Sequence, residues 1–232
     1  MIIVFDLDDT LYDEIDFVLS GFRAVSQYGL DNYGLSKDES FKFMQDLLDQ
    51  SGRGRIFDLW LKKHGLYSKS RVAQCVKVYR HHWPEISLSK IHIGILEQLA
   101  NSYTLYLVTD GHKVAQDKKC KALNVDKYFS GVFITHRYGL SNAKPSLYCF
   151  EKIKQAEGVS WDRVVYIGDN PAKDFVNLNK VGAVTVRVHT GSHAGTAAKN
   201  GYDAWHHIQD LTDVPKLIGH LNLGKTKLSK GS

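Results

Sequence analysis

The apolar positions of this chain follow two periods. Short apolar and β-branched runs occur at 2–5 (IIVF), 103–109 (YTLYLVT), 131–135 (GVFIT), 164–168 (VVYIG) and 183–188 (AVTVRV). Each has strand length, and most are nearly unbroken in hydrophobicity, as strands are when helices cover both faces of a parallel sheet. Between them, 89–101, 113–125, 145–157 and 172–181 read as helices. Strand alternating with helix predicts βαβ units, and hence an α/β fold on a doubly wound parallel sheet.

One interval departs from the alternation. Residues 13–85 hold no convincing strand and read as helices at about 13–33, 37–50, 56–64 and 68–82, separated by YGLS, SGRGR and HGLYS. The stretch FKFMQDLL places its apolar residues at helical spacing. Such an interval is too long for an ordinary βα loop. It predicts an inserted all-helical cap with hinges at 12–16 and 84–90. Pro84 fits the second hinge, because the residue before a proline leaves the helical region. The expected division is a core of 1–12 and 88–222, a cap of 13–87, and a basic, disordered tail of 223–232.

Composition narrows the classes. With 232 residues, 43% of them hydrophobic, the chain can bury a sizeable core. The net charge is +5, of which Lys225, Lys227 and Lys230 of the tail carry three, leaving +2. A small positive balance suits an anionic substrate. Without a basic helix or interleaved aromatic and basic residues, it does not suggest a nucleic-acid partner. Cys75, Cys120 and Cys149 are far apart with no CxxC pair, so buried, inert thiols in a reducing cytosol are expected rather than a zinc site or disulfide framework. The start MIIVFDLDD turns acidic too early for a signal peptide. No apolar run approaches the ~20 residues that span a membrane. A cytoplasmic protein without a membrane partner is expected, and its oligomeric state is not legible.

The candidate chemistry sits where strands end, since ligands of an open parallel sheet bind beyond the carboxyl ends of its strands. After the first strand come Asp6, Asp8, Asp9, Thr10 and Asp13. Crowded acids are tolerated at a cap, on a solvated face or around a cation. After the second strand come Thr109, Asp110, Gly111 and His112; GLSNAKP brings Lys144, and GDNPAKDF brings Asp169 and Asp174.

Four motifs stand in order: DLDDT (DxDxT), Thr109, Lys144 before Pro145, and GDNPAKD (GDxxxxD). In this the chain resembles the haloacid dehalogenase superfamily of phosphohydrolases, over residues 2 to about 190, and the helical insertion resembles that superfamily's C1-type cap. The resemblance implies a Rossmann-like core. It implies that Asp6 attacks phosphorus to form an aspartyl phosphate, and that Asp8 protonates the leaving oxygen and then activates water. It implies Mg²⁺ held by Asp6, the backbone carbonyl of Asp8 and Asp169, with Asp174 supporting the metal site or Lys144. Thr109 would bond a phosphoryl oxygen, and Lys144 would hold the phosphate as a point charge.

Other residues divide between structure and substrate. Thr10 is shared between holding the loop and positioning. Asp110 either caps the next helix or meets substrate. Gly111 would let the backbone approach a phosphate. His112 either touches substrate or is a solvated histidine. Arg53 and Arg55, in the loop SGRGRIF, either reach an anionic substrate or lie on a solvated loop. Asp9 and Asp13 read as capping or solvated acids. The pairs His81-His82 and His206-His207 lack metal-site spacing and read as surface. Trp60, Trp83, Trp161 and Trp205 read as core or cap packing. The expected function is Mg²⁺-dependent hydrolysis of a small phosphorylated metabolite, a sugar phosphate or a nucleotide, because a cap excludes folded phosphoproteins. A phosphomutase or phosphotransferase on the same core is the alternative. A non-catalytic phosphate-binding protein fits less well, because the motif set is complete.

Overall fold

The computed structural model describes residues 1–228, with backbone alone for 222–228. Six strands form one parallel sheet in the order β3-β2-β1-β4-β5-β6. They are β1 (Ile2–Phe5), β2 (Thr104–Thr109), β3 (Gly131–Ile134), β4 (Val164–Gly168), β5 (Val184–Val188) and β6 (His206–Ile208). The five predicted strands are all present. The sixth is a three-residue edge strand built on His206 and His207, too short and too polar for its pattern to announce it. His207 is exposed as expected, its ring stacked on His189 with centroids 5.2 Å apart, whereas His206 is half-buried.

Strand β1 lies between β2 and β4, with Phe5 level with Leu107 on one side and Ile167 on the other. Its residues alternate between two cores. Ile3 and Phe5 face a cluster with Leu96, Leu99 and Val214. Ile2 and Val4 face a second with Phe150, Ile153 and Leu178. The unbroken apolar run IIVF is thus explained by helices on both faces. Those helices are α5 (Lys90–Ala100), α6 (Lys113–Ala122), α7 (Tyr148–Glu157), α8 (Val176–Lys180) and α9 (Val214–Leu228). Helix α9 takes in the first part of the segment expected to be a disordered tail, and residues 229–232 lie outside the described residues. Among the described residues no helix is long and apolar enough to cross a membrane.

The insertion consists of α1 (Glu14–Tyr33), α2 (Lys37–Ser51), α3 (Ile56–Lys63) and α4 (Lys69–His81). Local chemistry sets its boundaries. Ser36 accepts a hydrogen bond from the Glu39 N–H, and Ser68 accepts one from the Arg71 N–H, so orphan donors at both helix starts are satisfied. The four helices gather a core of their own from Val18, Phe22, Val25, Met44, Trp60, Leu61 and Cys75. Helix α1 serves both bodies: Phe17 packs into the sheet-side cluster, while Val18 and Phe22 point into the helical one. Tyr79 touches both clusters, its ring edge-on to Phe17 at 5.4 Å. Of the four tryptophans, Trp60 is fully buried as expected, whereas Trp83 and Trp205 are exposed, so core packing does not explain them. All three cysteines are buried and free.

Trp60 is the largest buried side chain and lies within the helical core. Trp60→Ala is expected to destabilise the protein by about 3–5 kcal/mol, the cost of emptying a large aromatic site. Urea unfolding followed by circular dichroism measures this; a loss under about 1 kcal/mol would contradict a packed helical core.

Candidate active site

The sheet order brings the carboxyl ends of β1, β2 and β4 side by side, at the point where the strand order reverses from one half of the sheet to the other. Asp6 extends β1 by one residue, its N–H donating to Ile167 O at 2.8 Å. The chain then turns sharply. Asp9 has φ 54°, a left-handed conformation an aspartate tolerates. Its carboxylate accepts the Glu14 N–H at 2.8 Å, the Ser192 N–H at 3.0 Å and the Ser192 hydroxyl at 2.8 Å. Asp9 is buried rather than solvated; it caps the first N–H of α1, as a capping acid is expected to, and also ties the β1 loop to the loop after β5. Gly191 makes this possible: at φ 62°, it would place a Cβ only 2.1 Å from the Asp9 Cγ. Asp13, at the helix N-cap position, makes no side-chain capping bond.

Asp6 and Lys144 form the centre. Lys144 Nζ lies 2.9 Å from Asp6 Oδ2, 2.8 Å from Asp174 Oδ1 and 2.9 Å from the Tyr166 hydroxyl. The other oxygen of Asp6 accepts the Leu7 N–H at 2.8 Å. Burial works against the Lys144 ammonium, but Asp174 and Asp6 outweigh it and hold the group well above its usual range. The acids outnumber this lysine. Carboxylate oxygens of Asp6, Asp169 and Asp174 lie within 4.8 Å of one another. Burial first, then Asp6 and Asp174, push Asp169 up to about 9. Burial likewise raises Asp6 to about 6 against the pull of Lys144.

Such a cluster fits a hard divalent cation, which takes carboxylate oxygens and removes the repulsion. Asp6 and Asp169 would hold it. Asp174 meets Lys144 through Oδ1 and accepts the Asn170 N–H at 2.9 Å through its second oxygen, and its place in the same acid group sets it beside both Lys144 and the cation position. The Asp8 carboxylate stands outside this cluster, in the wall of the cavity that Asp6 and Asp169 line. Its Oδ1 accepts the Tyr12 hydroxyl at 2.6 Å and Lys119 Nζ at 2.7 Å, and its Oδ2 accepts Gln116 Nε2 at 2.7 Å. Burial opposes ionisation there, yet Lys119 and the hydrogen bonds hold Asp8 below the usual carboxylate range.

The other expected residues separate. Thr109 is fully buried and accepts Gln116 Nε2 at 2.6 Å rather than opening to solvent. Gly111, at φ 138°, leaves room for the Gln116 side chain, whose Cγ would stand 3.1 Å from an added Cβ. Asp110 does not cap α6. It accepts the Thr135 hydroxyl at 2.5 Å and the Lys144 N–H at 3.1 Å, and so carries the backbone that presents Lys144. Thr10 is buried with its hydroxyl unpartnered. His112 sits at the N-cap of α6 beside His81, away from the cavity. Arg55 is exposed at the start of α3 and does not reach the site.

A cavity of about 270 Å³ opens over Asp6 and Asp169. Asp8, Asp9, Glu14 and Asp110 add further acids to its wall, and Arg53 and Lys173 are the cations there. Arg53 reaches it from the helical insertion and pairs with Glu14 at 2.7 Å. Asn170, Ser192 and His193 complete the rim, with Asn170 Nδ2 2.9 Å from His193 Nε2. The sequence reading missed Glu14, Gln116, Lys119, Lys173 and His193. A signal existed for two of them. Gln116 and Lys119 stand three apart on α6, one polar face of a helix that must bury something.

Residues 3–188 match the family model described as haloacid dehalogenase-like hydrolase. The chain belongs to that family. Among curated relatives, the glyceraldehyde 3-phosphate phosphatase of Methanopyrus kandleri is 27% identical over 87% of this chain and 89% of its own length. That of Methanocaldococcus jannaschii is 26% identical over 92% and 96%. Among solved structures, the putative HAD-hydrolase YfnB of Bacillus subtilis, bound to magnesium, superposes with a TM-score of 0.68 at 16% identity, covering 93% of this chain and 96% of that one. The 2-haloacid dehalogenase of Pseudomonas syringae gives 0.64 at 20% identity, over 95% and 99%. These superpositions bear out the expected fold of the haloacid dehalogenase-like core, and the family and curated relatives support a phosphoric monoester hydrolase.

The acid cluster has a consequence for stability. With divalent cations chelated, folded Asp169 keeps its proton up to about 9, whereas an unfolded aspartate loses it near 4. The folded state therefore binds more protons than the unfolded one across that window, and stability falls as pH rises. In EDTA the unfolding midpoint of native protein is expected to drop from about pH 6 to about pH 8, and Asp169→Asn to lessen that drop. Added Mg²⁺ should raise the midpoint more at the higher pH. A native profile as flat as that of Asp169→Asn contradicts the assignment.

Proposed function

We propose that this protein is a Mg²⁺-dependent phosphatase of a small sugar phosphate, working through an aspartyl-phosphate intermediate. One observation carries the proposal: Asp6, paired at 2.9 Å with the buried Lys144 behind it, lines a polar cavity beside Asp169. The substrate class is supported by the relatives, named for glyceraldehyde 3-phosphate. A cavity of about 270 Å³ suits a molecule of that size rather than a folded phosphoprotein.

The chemistry follows from the residues. An Asp6 oxygen attacks phosphorus, and the bond from phosphorus to the leaving oxygen breaks. Asp8, ionised by itself, takes up a solvent proton as the anionic ester binds beside it and passes that proton to the leaving oxygen. A water then attacks the phosphorus of the aspartyl phosphate, gives its proton to Asp8 and frees Asp6. Lys144 keeps Asp6 ionised and in place and offsets the phosphate's charge. A bound Mg²⁺ would supply the remaining positive charge between the carboxylates and the phosphate. Lys173 and Arg53 are the cations able to meet the substrate from the rim.

The test is phosphate release from a panel of triose, pentose and hexose phosphates, nucleotides and small organic phosphates. Turnover is expected with a triose phosphate in Mg²⁺, with loss to background in Asp6→Asn and in excess EDTA. Activity retained in Asp6→Asn overturns the nucleophile, and activity retained in EDTA overturns the metal. Phosphate moved between substrate positions without release would favour a mutase.

A further inference from the structure

Helix α6 commits two buried positions to polar side chains that fold stability alone does not require. Gln116 and Lys119 are each 2% exposed. A buried ammonium is costly unless it is paired. Lys119 is paired twice, to Asp8 Oδ1 at 2.7 Å and to Glu14 Oε1 at 3.1 Å, and its Nζ lies over the Phe17 ring, 4.2 Å from the centroid. The other oxygen of Glu14 holds Arg53 Nη2 at 2.7 Å. A continuous polar chain therefore runs from Asp8 through Lys119 and Glu14 to Arg53, from the β1 loop to the helical insertion. Gln116 braces its inner end, donating to both Asp8 Oδ2 and Thr109 Oγ1.

We propose that Lys119 is a positioning residue for the reaction, fixing the Asp8 carboxyl at the cavity wall while Glu14 and Arg53 tie Lys119 to the insertion. The inference rests on the acid–base role of Asp8 given above. When the bond from phosphorus to the leaving oxygen breaks, the proton passes from Asp8 to that oxygen and leaves a carboxylate. Lys119, Tyr12 and Gln116 donate to both oxygens of that carboxylate, so they hold the product of the transfer in place. The same carboxylate then takes the proton of the attacking water.

A leaving-group comparison tests this. A nitrophenolate departs without a proton, whereas an alkoxide needs one. Single-turnover rates are measured with enzyme in excess. One substrate is p-nitrophenyl phosphate; the other is glycerol 3-phosphate or glyceraldehyde 3-phosphate, whichever the native protein hydrolyses faster. Lys119→Met is expected to slow the alkyl ester by roughly 10²-fold, the scale of a misplaced catalytic group, and to leave nitrophenolate release nearly unchanged. Lys119→Arg should recover most of the lost rate. Equal losses on both substrates, or none on either, overturn the proposal and leave Lys119 a structural ion-pair partner. Should Lys119→Met fail to fold, the same ratio in Gln116→Met decides, because it removes the donor on the other Asp8 oxygen. Silence of the native protein toward every phosphate ester overturns the phosphatase reading instead.

Discussion

One ammonium among too many carboxylates is the constraint on which this molecule is built. Asp6, Asp169 and Asp174 share a space smaller than 5 Å with Lys144 as their buried cation. Two like charges about 4 Å apart repel by roughly 4 kcal/mol at the effective dielectric of a protein near its surface. One lysine cannot neutralise that sum. The cluster must keep a proton, as Asp169 does, or take a cation, and a phosphate can approach only once positive charge is present. Every element that holds Lys144 serves this balance: Asp110 fixes its backbone N–H, Tyr166 meets its Nζ, and Asn170 orients Asp174.

The fold delivers that cluster because parallel strands end together. Residues at the ends of β1 and β4, hundreds of bonds apart in the chain, become neighbours once β1 is paired between β2 and β4. Apolar packing on both faces of β1 keeps Asp6 at a fixed height, since a slip of one residue would move the nucleophile candidate to the other face of the sheet. The helical insertion then reaches the cavity through Arg53. Its attachment to the core is both apolar, through Phe17 and Tyr79, and ionic, through Glu14 and Lys119. A body joined this way can bear on the chemistry without contributing the nucleophile.

Much of this was legible from the chain. The strands were marked by short continuous apolar runs, and the insertion by seventy-odd residues of helical period without a strand. Asp6, Asp8, Lys144 and Asp169 were marked by type and by position at strand ends. Residues whose role is set by a particular side-chain contact or orientation, rather than by their own type, were read less well. Gly111, which resembles a phosphate-loop glycine, also makes room for Gln116. Thr109 faces that same glutamine. His112 and Arg55 flank the right motifs but turn away from the cavity.

The difference has a physical origin. Periodicity and strand-end acids are local properties, because burial on two faces or the chemistry of a carboxylate needs only the nearby chain to be recognised. The sequence alone therefore determined the α/β core, the helical insertion and the acidic edge. Ion pairs such as Asp8–Lys119, 111 residues apart, and staples such as Asp9–Ser192, 183 residues apart, exist only after the sheet has assembled. Which of several lysines is buried, and which acid it meets, was decided by tertiary packing, where one angstrom separates a paired charge from an unpaired one.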